Sequence, residues 1–180
     1  MLLIDEIHSP IGRIAIAARD GRLCALEFGR ARLVRQLTVR YPEAPRRRAR
    51  NPYGVSVRLR AYLAGDLAAV DGIPVETGGT PFQQRVWRAQ RRIPAGHTMS
   101  YGTLARRLGV GAAARAVGAA NGRNPISLVV PCHRLIGGDA ALTGYGGGLW
   151  RKQWLLRHEG AEPRATKARS AGGRSRGRKR

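Results

Sequence analysis

The stretch Tyr101-Gly102-Thr103-Leu104-Ala105-Arg106-Arg107-Leu108-Gly109-Val110-Gly111-Ala112-Ala113-Ala114-Arg115-Ala116-Val117-Gly118-Ala119-Ala120 reads as two short helices, about 101–108 and 112–120, with Gly109-Val110-Gly111 between them. Leu104, Ala105 and Leu108 form an inward face on the first helix. Ala113, Ala116, Val117 and Ala120 do so on the second. Two short helices joined by a three-residue glycine turn resemble a helix-turn-helix. A helix that reads sequence in a major groove needs several Arg, Asn, Gln or Glu side chains aimed at base edges. The second helix offers only Arg115. Its small residues predict a helix lying tight against DNA, reading little sequence, with Arg115 able to enter the duplex. An Ala-rich packing helix with one exposed arginine is the alternative.

Upstream, Thr80-Pro81-Phe82 opens a helix whose apolar positions are Phe82, Val86 and Ile93, and Pro94-Ala95-Gly96 ends it. Downstream, Asn121-Gly122 closes the second helix. Ser127 to Val130, flanked by Pro125 and Pro131, predicts a buried extended segment. After the glycine-rich loop 144–148, a last helix is predicted over 149–158, ending before Gly160.

The first half has a different character. Ile14 and Ile16 alternate with Ala15 and Ala17, Asp20-Gly21 supplies a tight turn, and Leu23 to Phe28 returns, which predicts a β-hairpin. Cys24, Leu26 and Phe28 would share one face, making Cys24 a small core residue. Residues 31–40 and 55–64 predict helices, Arg46–Arg50 a basic loop, and 71–81 a linker. The fold class is therefore α+β: a small N-terminal α/β domain with an antiparallel hairpin (1–75), then a mostly helical domain containing the helix-turn-helix (76–161). Residues 162–180 have the composition of a basic disordered tail.

The net charge of +22 points to a polyanion. The tail from Arg164 to Arg180 supplies eight Lys/Arg and no acids, and the remainder keeps 25 basic against 11 acidic residues. Nucleic acid is the favoured partner, with a solvated arginine-rich surface as the alternative. No run approaches a membrane span. Two cysteines make no disulfide framework, so a reducing cytoplasm is expected.

Cys132 sits in Val129-Val130-Pro131-Cys132-His133-Arg134, beside an imidazole able to take its proton. A free thiol of pKa about 8.5 is only about 3% thiolate at pH 7. Complete ionisation therefore adds at most about 30-fold, near 2 kcal/mol. Positioning of the electrophile and hydrogen bonding to the leaving group must supply more.

Together these segments resemble the O6-alkylguanine-DNA alkyltransferase family, also called methylated-DNA–protein-cysteine methyltransferase. The resemblance runs from Thr80-Pro81-Phe82-Gln83 through Tyr101-Gly102, Arg115-Ala116-Val117-Gly118, Asn124-Pro125 and Pro131-Cys132-His133-Arg134. It continues through Leu142-Thr143-Gly144-Tyr145 and Gly147-Gly148-Leu149 to His158-Glu159-Gly160. The first half is more loosely similar, through the hairpin and Ser9-Pro10-Ile11-Gly12.

The resemblance implies irreversible, single-turnover transfer of an alkyl group from O6 of guanine, less readily from O4 of thymine, to Cys132, with the base flipped out of the helix. It implies that His133 deprotonates Cys132 through a water, that Glu159 orients His133, that Tyr101 donates to the flipped guanine and that Asn124 braces the site. DNA contacts are expected from Arg115, Tyr101, Ala114, Gly118 and Arg134, and pocket walls from Pro131, Tyr145, Gly146 and Gly147. No metal or cofactor is implied. The expected partner is double-stranded DNA carrying alkylated guanine, met by a monomer that could bind cooperatively. Gln90 stands where relatives carry an apolar residue, and Trp150 where a charged one is common. The competing functions are a non-catalytic sensor of alkylated DNA, which the presence of Cys132 opposes, and a cysteine hydrolase. The hydrolase is opposed by the expected placement of Cys132 and His133 on opposite sides of an extended segment.

Overall fold

The computed structural model describes residues 1–138 and 141–161. The basic tail predicted over 162–180 lies outside the described residues. Strands β1 (Leu2–Ile7), β2 (Ile14–Arg19), β3 (Arg22–Phe28) and β4 (Arg46–Arg48) form one sheet in the order β3-β2-β1-β4. The β2–β3 hairpin turns at Asp20-Gly21, both at positive φ (48° and 74°), which suits the twist of a two-residue loop.

Register slips at one point. Ala17 pairs with Ala25, but Ala18 pairs with Leu23, so Cys24 is an extra residue in β3. The bulge turns Cys24 away from Leu26 and Phe28. Cys24 is buried with Leu33 and Leu37 of α1 (Arg30–Arg40), while Leu26 and Phe28 join the larger core. The single face expected for the three residues is thus broken by the bulge.

Arg46–Arg48, expected as a loop, is the short edge strand β4, parallel to β1 with Leu2 opposite Arg46 and Ile4 opposite Arg48. Its backbone completes the sheet while all three side chains stay exposed.

The second sheet face meets α2 (Val55–Leu63) and the C-terminal half. One core cluster joins Ile14, Ile16 and Leu26 of the sheet to Leu59 and Tyr62 of α2 and to Val86, Val117, Val130 and Leu155 of the second half. The stretch 71–81 is tied down rather than loose. Val75 bridges to Leu23, Glu76 pairs with Arg19 at 2.8 Å, and Arg40 donates to the carbonyl of Thr77 at 2.8 Å.

Helix α3 (Pro81–Gln90) starts at a capping box, with Thr80 and Gln83 satisfying each other's backbone N–H. Strand β5 (Met99–Ser100) leads into α4 (Tyr101–Arg107), capped by the Ser100 hydroxyl. Helix α5 (Ala114–Gly122) follows a connection from Leu108 to Ala113, longer than the predicted glycine turn. Val117 and Ala120 point inward as expected, whereas Ala116 is exposed. Strand β6 (Leu135–Ile136) pairs with β5, and α6 (Leu149–His158) closes the described chain. Among the described residues no helix is long and apolar enough to cross a membrane.

Candidate active site

The segment expected to be extended before Cys132 is a tight turn. Leu128 adopts a left-handed conformation at φ 71°, and Val130 N–H bonds back to the carbonyl of Ile126 at 2.9 Å. Asn124 clamps the turn. Its Nδ2 donates to the Val130 carbonyl at 2.8 Å, and its Oδ1 accepts from Ile126 N–H at 3.0 Å. Cys132–Arg134 then forms a single 3₁₀ turn, so Cys132 and His133 do not alternate across a strand. Cys132 is buried, with its sulfur 4.0 Å from the Ser127 hydroxyl.

Glu159 gathers this turn from behind. His133 Nε2 lies 2.9 Å from Glu159 Oε1. Arg134 forks onto the same carboxylate, Nε to Oε2 at 2.9 Å and Nη2 to Oε1 at 2.7 Å, and its Nη1 reaches the carbonyl of Ile93 at 2.5 Å. Arg134, expected on DNA, is thereby withdrawn from it: the side chain is buried and committed to Glu159 and Ile93. The fourth donor comes from the other half of the chain, where the Tyr62 hydroxyl donates to Oε1 at 2.6 Å.

These contacts set the protonation states. Burial would raise the Glu159 carboxyl, but the His133 hydrogen bond and the Arg134 guanidinium outweigh it and hold the group well below the usual carboxylate range. Burial pushes the His133 imidazole down against the pull of Glu159, favouring the neutral ring. With Nε2–H directed to the carboxylate, Nδ1 is left as an acceptor that no group among the described residues engages. Burial also raises the Cys132 thiol, opposed by hydrogen bonds from Asn124 and Ser127 and by the charge of Lys152.

Lys152 was not singled out in the sequence. It is fully buried on α6, and its Nζ donates to the carbonyls of Leu135 (2.5 Å) and Thr143 (2.8 Å). Burial lowers its amine from 10.5 to about 8. A lysine one turn ahead of Leu155 and Leu156, on the inward stripe of a helix, was the signal that could have found it. Tyr62 left no comparable trace.

Cys132 lines a cavity of about 460 Å³ together with Tyr101, Asn121, Thr143, Tyr145 and Gly146. Tyr101, its hydroxyl pKa raised by burial, belongs both to this cavity and to a wider neighbouring depression lined by Ala114, Arg115 and Gly118. Four of the expected DNA contacts therefore line one depression, which shares Tyr101 and Gly118 with the cavity, and Arg115 is exposed there. Two expected pocket walls lie elsewhere. Pro131 borders a separate recess beside Val70 and Ile93. Gly147 is pressed against Phe28, where a Cβ would stand 2.6 Å from the ring.

The family profile described as 6-O-methylguanine DNA methyltransferase, ribonuclease-like domain, matches residues 3–77, and that of the DNA binding domain matches residues 81–161. The chain belongs to the 6-O-methylguanine DNA methyltransferase family. A methylated-DNA–protein-cysteine methyltransferase of Shigella flexneri is 51% identical over 164 residues, covering 88% of this chain and 96% of that protein. One from Mycolicibacterium paratuberculosis is 48% identical over 160 residues, covering 87% and 91%. Among solved structures, Mycobacterium tuberculosis O6-methylguanine methyltransferase superposes with a TM-score of 0.75 at 39% identity, covering 89% of this chain and 93% of that one. The mycobacterial protein in complex with DNA gives a TM-score of 0.76 at 40% identity, covering 88% and 92%. The mixed architecture, with a small sheet preceding a helical half, is shared with these family structures.

Proposed function

We propose that the protein repairs DNA by direct reversal, moving the alkyl group from O6 of guanine in a duplex to the sulfur of Cys132. Membership of the family supports the reaction class. The observation that carries the assignment to this residue is the burial of Cys132 in a cavity beside a neutral His133 fixed by an ionised Glu159. The cavity shares Tyr101 and Gly118 with the depression that Arg115 of α5 lines. The alkyl carbon–O6 bond breaks as the carbon–sulfur bond forms. The thiol proton passes through a water to His133 Nδ1, and the departing guanine anion is met by the Tyr101 hydroxyl before it regains a proton at nitrogen.

A target base inside the stack cannot reach a buried sulfur, so the nucleotide must swing out, at a cost of a few kcal/mol. Arg115, exposed on a helix of small residues, fills the gap in this reading. O4-alkylthymine enters by the same route as a poorer substrate. The thioether product has no route back to a thiol, because an alkyl C–S bond is not cleaved by water or by another thiol under these conditions, and Cys24 is itself buried against α1. Each molecule therefore acts once, as a monomer in a reducing cytoplasm that keeps Cys132 free.

Intact-mass measurement after incubation with a duplex carrying one O6-methylguanine tests this. One methyl group per protein is expected on Cys132, and none on Cys132→Ser. Tight binding of the lesion without a mass increase would favour a non-catalytic sensor instead.

A further inference from the structure

Gln90 ends α3 with a fully buried side chain. Its Nε2 donates to Asn121 Oδ1 at 2.5 Å, while its own Oε1 meets no donor among the described residues. Leaving a buried carbonyl unpaired is costly, and an apolar side chain of similar size would avoid that cost. What the amide supplies is its N–H. Asn121, itself buried in the last turn of α5, extends its Nδ2 to within 3.5 Å of the Tyr101 hydroxyl. A buried chain of polar groups thus runs from α3 through α5 to the start of α4, and ends on a residue that lines the Cys132 cavity.

The two ends of an asparagine amide are nearly the same size but opposite in hydrogen-bonding sense. With Oδ1 held by Gln90, the end facing Tyr101 is the N–H₂ group. The phenolic oxygen then accepts, and its own proton is left for another partner. Turned the other way, Asn121 Oδ1 would take the Tyr101 proton and withdraw the donor from the cavity.

We propose that Gln90 is a positioning residue that sets the orientation of the Asn121 amide, so that Tyr101 accepts from Asn121 and keeps its proton for the departing guanine. The inference rests on the reading of Tyr101 as that donor and extends it to a residue that touches neither DNA nor base.

A double-mutant cycle on the full-length protein tests it, with single-turnover transfer from an O6-methylguanine duplex and DNA affinity measured separately. Gln90→Glu offers only acceptors. It draws the Asn121 N–H₂ to itself and turns Oδ1 toward Tyr101. Removing a donor from a developing anion slows reactions by roughly 100- to 1,000-fold, and partial loss of alignment here is expected to cost about 10-fold or more, with DNA affinity unchanged.

In a Tyr101→Phe background the same substitution should add nothing. Gln90→Leu fills the space without polar atoms and frees Asn121 to turn. It should also slow transfer only when Tyr101 is present, and it carries the cycle if the glutamate variant does not fold. Parental rates for the Gln90 variants, or an equal loss with and without the Tyr101 hydroxyl, would overturn the proposal. If Tyr101→Phe alone transfers at the parental rate, the reading of Tyr101 falls first and takes this inference with it.

Discussion

Substituting Tyr62→Phe removes a single oxygen and leaves the ring that α2 packs into the core. That oxygen is one of four donors on the buried Glu159 carboxylate, and it shares Oε1 with His133 and Arg134. A hydrogen bond to a charged group contributes about 1.5–3 kcal/mol, and three donors remain to hold the carboxylate, so a loss of about 2 kcal/mol is expected. For a chain of this size each kcal/mol moves the melting temperature by about 2–4 °C, giving a fall of about 4–8 °C at pH 7.

The pH dependence follows from the same contact. Glu159 has its folded-state pKa held below the ordinary 4.5, so its contribution is complete above about 4.5 and is lost as the pH falls from there toward the folded value. Losing the Tyr62 donor lets the folded value rise part of the way back. The unfolded-state titration is common to parent and variant and cancels, so the gap should stay full from neutral pH down through pH 4.5 and narrow only as the pH falls through the variant's own folded-state value, which lies lower. Urea denaturation at a series of pH values measures it. Equal stabilities at pH 7, or a gap that already narrows between pH 7 and pH 5, would refute the argument.

Arg115→Ala should slow transfer from a duplex lesion yet leave reaction with the free methylated base unchanged, because the free base needs no extrusion; equal slowing of both would remove Arg115 from the flipping step. Lys152→Met should move the pH at which transfer is half-maximal upward, since each pKa unit gained by the thiol costs about tenfold in thiolate; an unmoved midpoint in a pH–rate series would exclude an electrostatic role. Gly147→Ala drives a Cβ into Phe28 and should cost about 1–3 kcal/mol, read by thermal melting. Truncation after Ala161 should flatten the salt dependence of DNA binding without abolishing transfer, and an unchanged slope would exclude phosphate contact by the tail.

Local patterns carried much of the architecture. The β2–β3 hairpin was legible because Asp20-Gly21 and the alternation at 14–17 are nearest-neighbour signals, and α6 because the glycine-rich loop and Gly160 bound it. The bulge at Cys24 was not legible, since register depends on which residue of β2 stands opposite. Nor was β4, because Arg46–Arg48 carries no alternation and becomes a strand only by pairing with β1. The turn before Cys132 misled through composition. Four residues suited to an extended run are bent by bonds from Asn124 and by Leu128 taking a left-handed backbone.

At the site, Cys132, His133, Glu159, Tyr101 and Asn124 were all named from the sequence; Cys132 and Tyr101 line one cavity, Asn124 clamps the turn before Cys132, and Glu159 holds the adjacent His133. Arg134 was misplaced because a guanidinium reads as a surface group until its carboxylate is found, 25 residues away. Tyr62 and Glu159 are 97 residues apart, a separation at which no local pattern exists.

The rim strand β4 has a further consequence for life at high concentration. Open sheet borders are where copies of a protein adhere to one another. Here the outermost strand displays Arg46, Arg47 and Arg48 side by side, so any second molecule aligning against that border brings guanidinium toward guanidinium. Repulsion between these side chains opposes the joining of two such borders without lengthening the sheet or covering its flank.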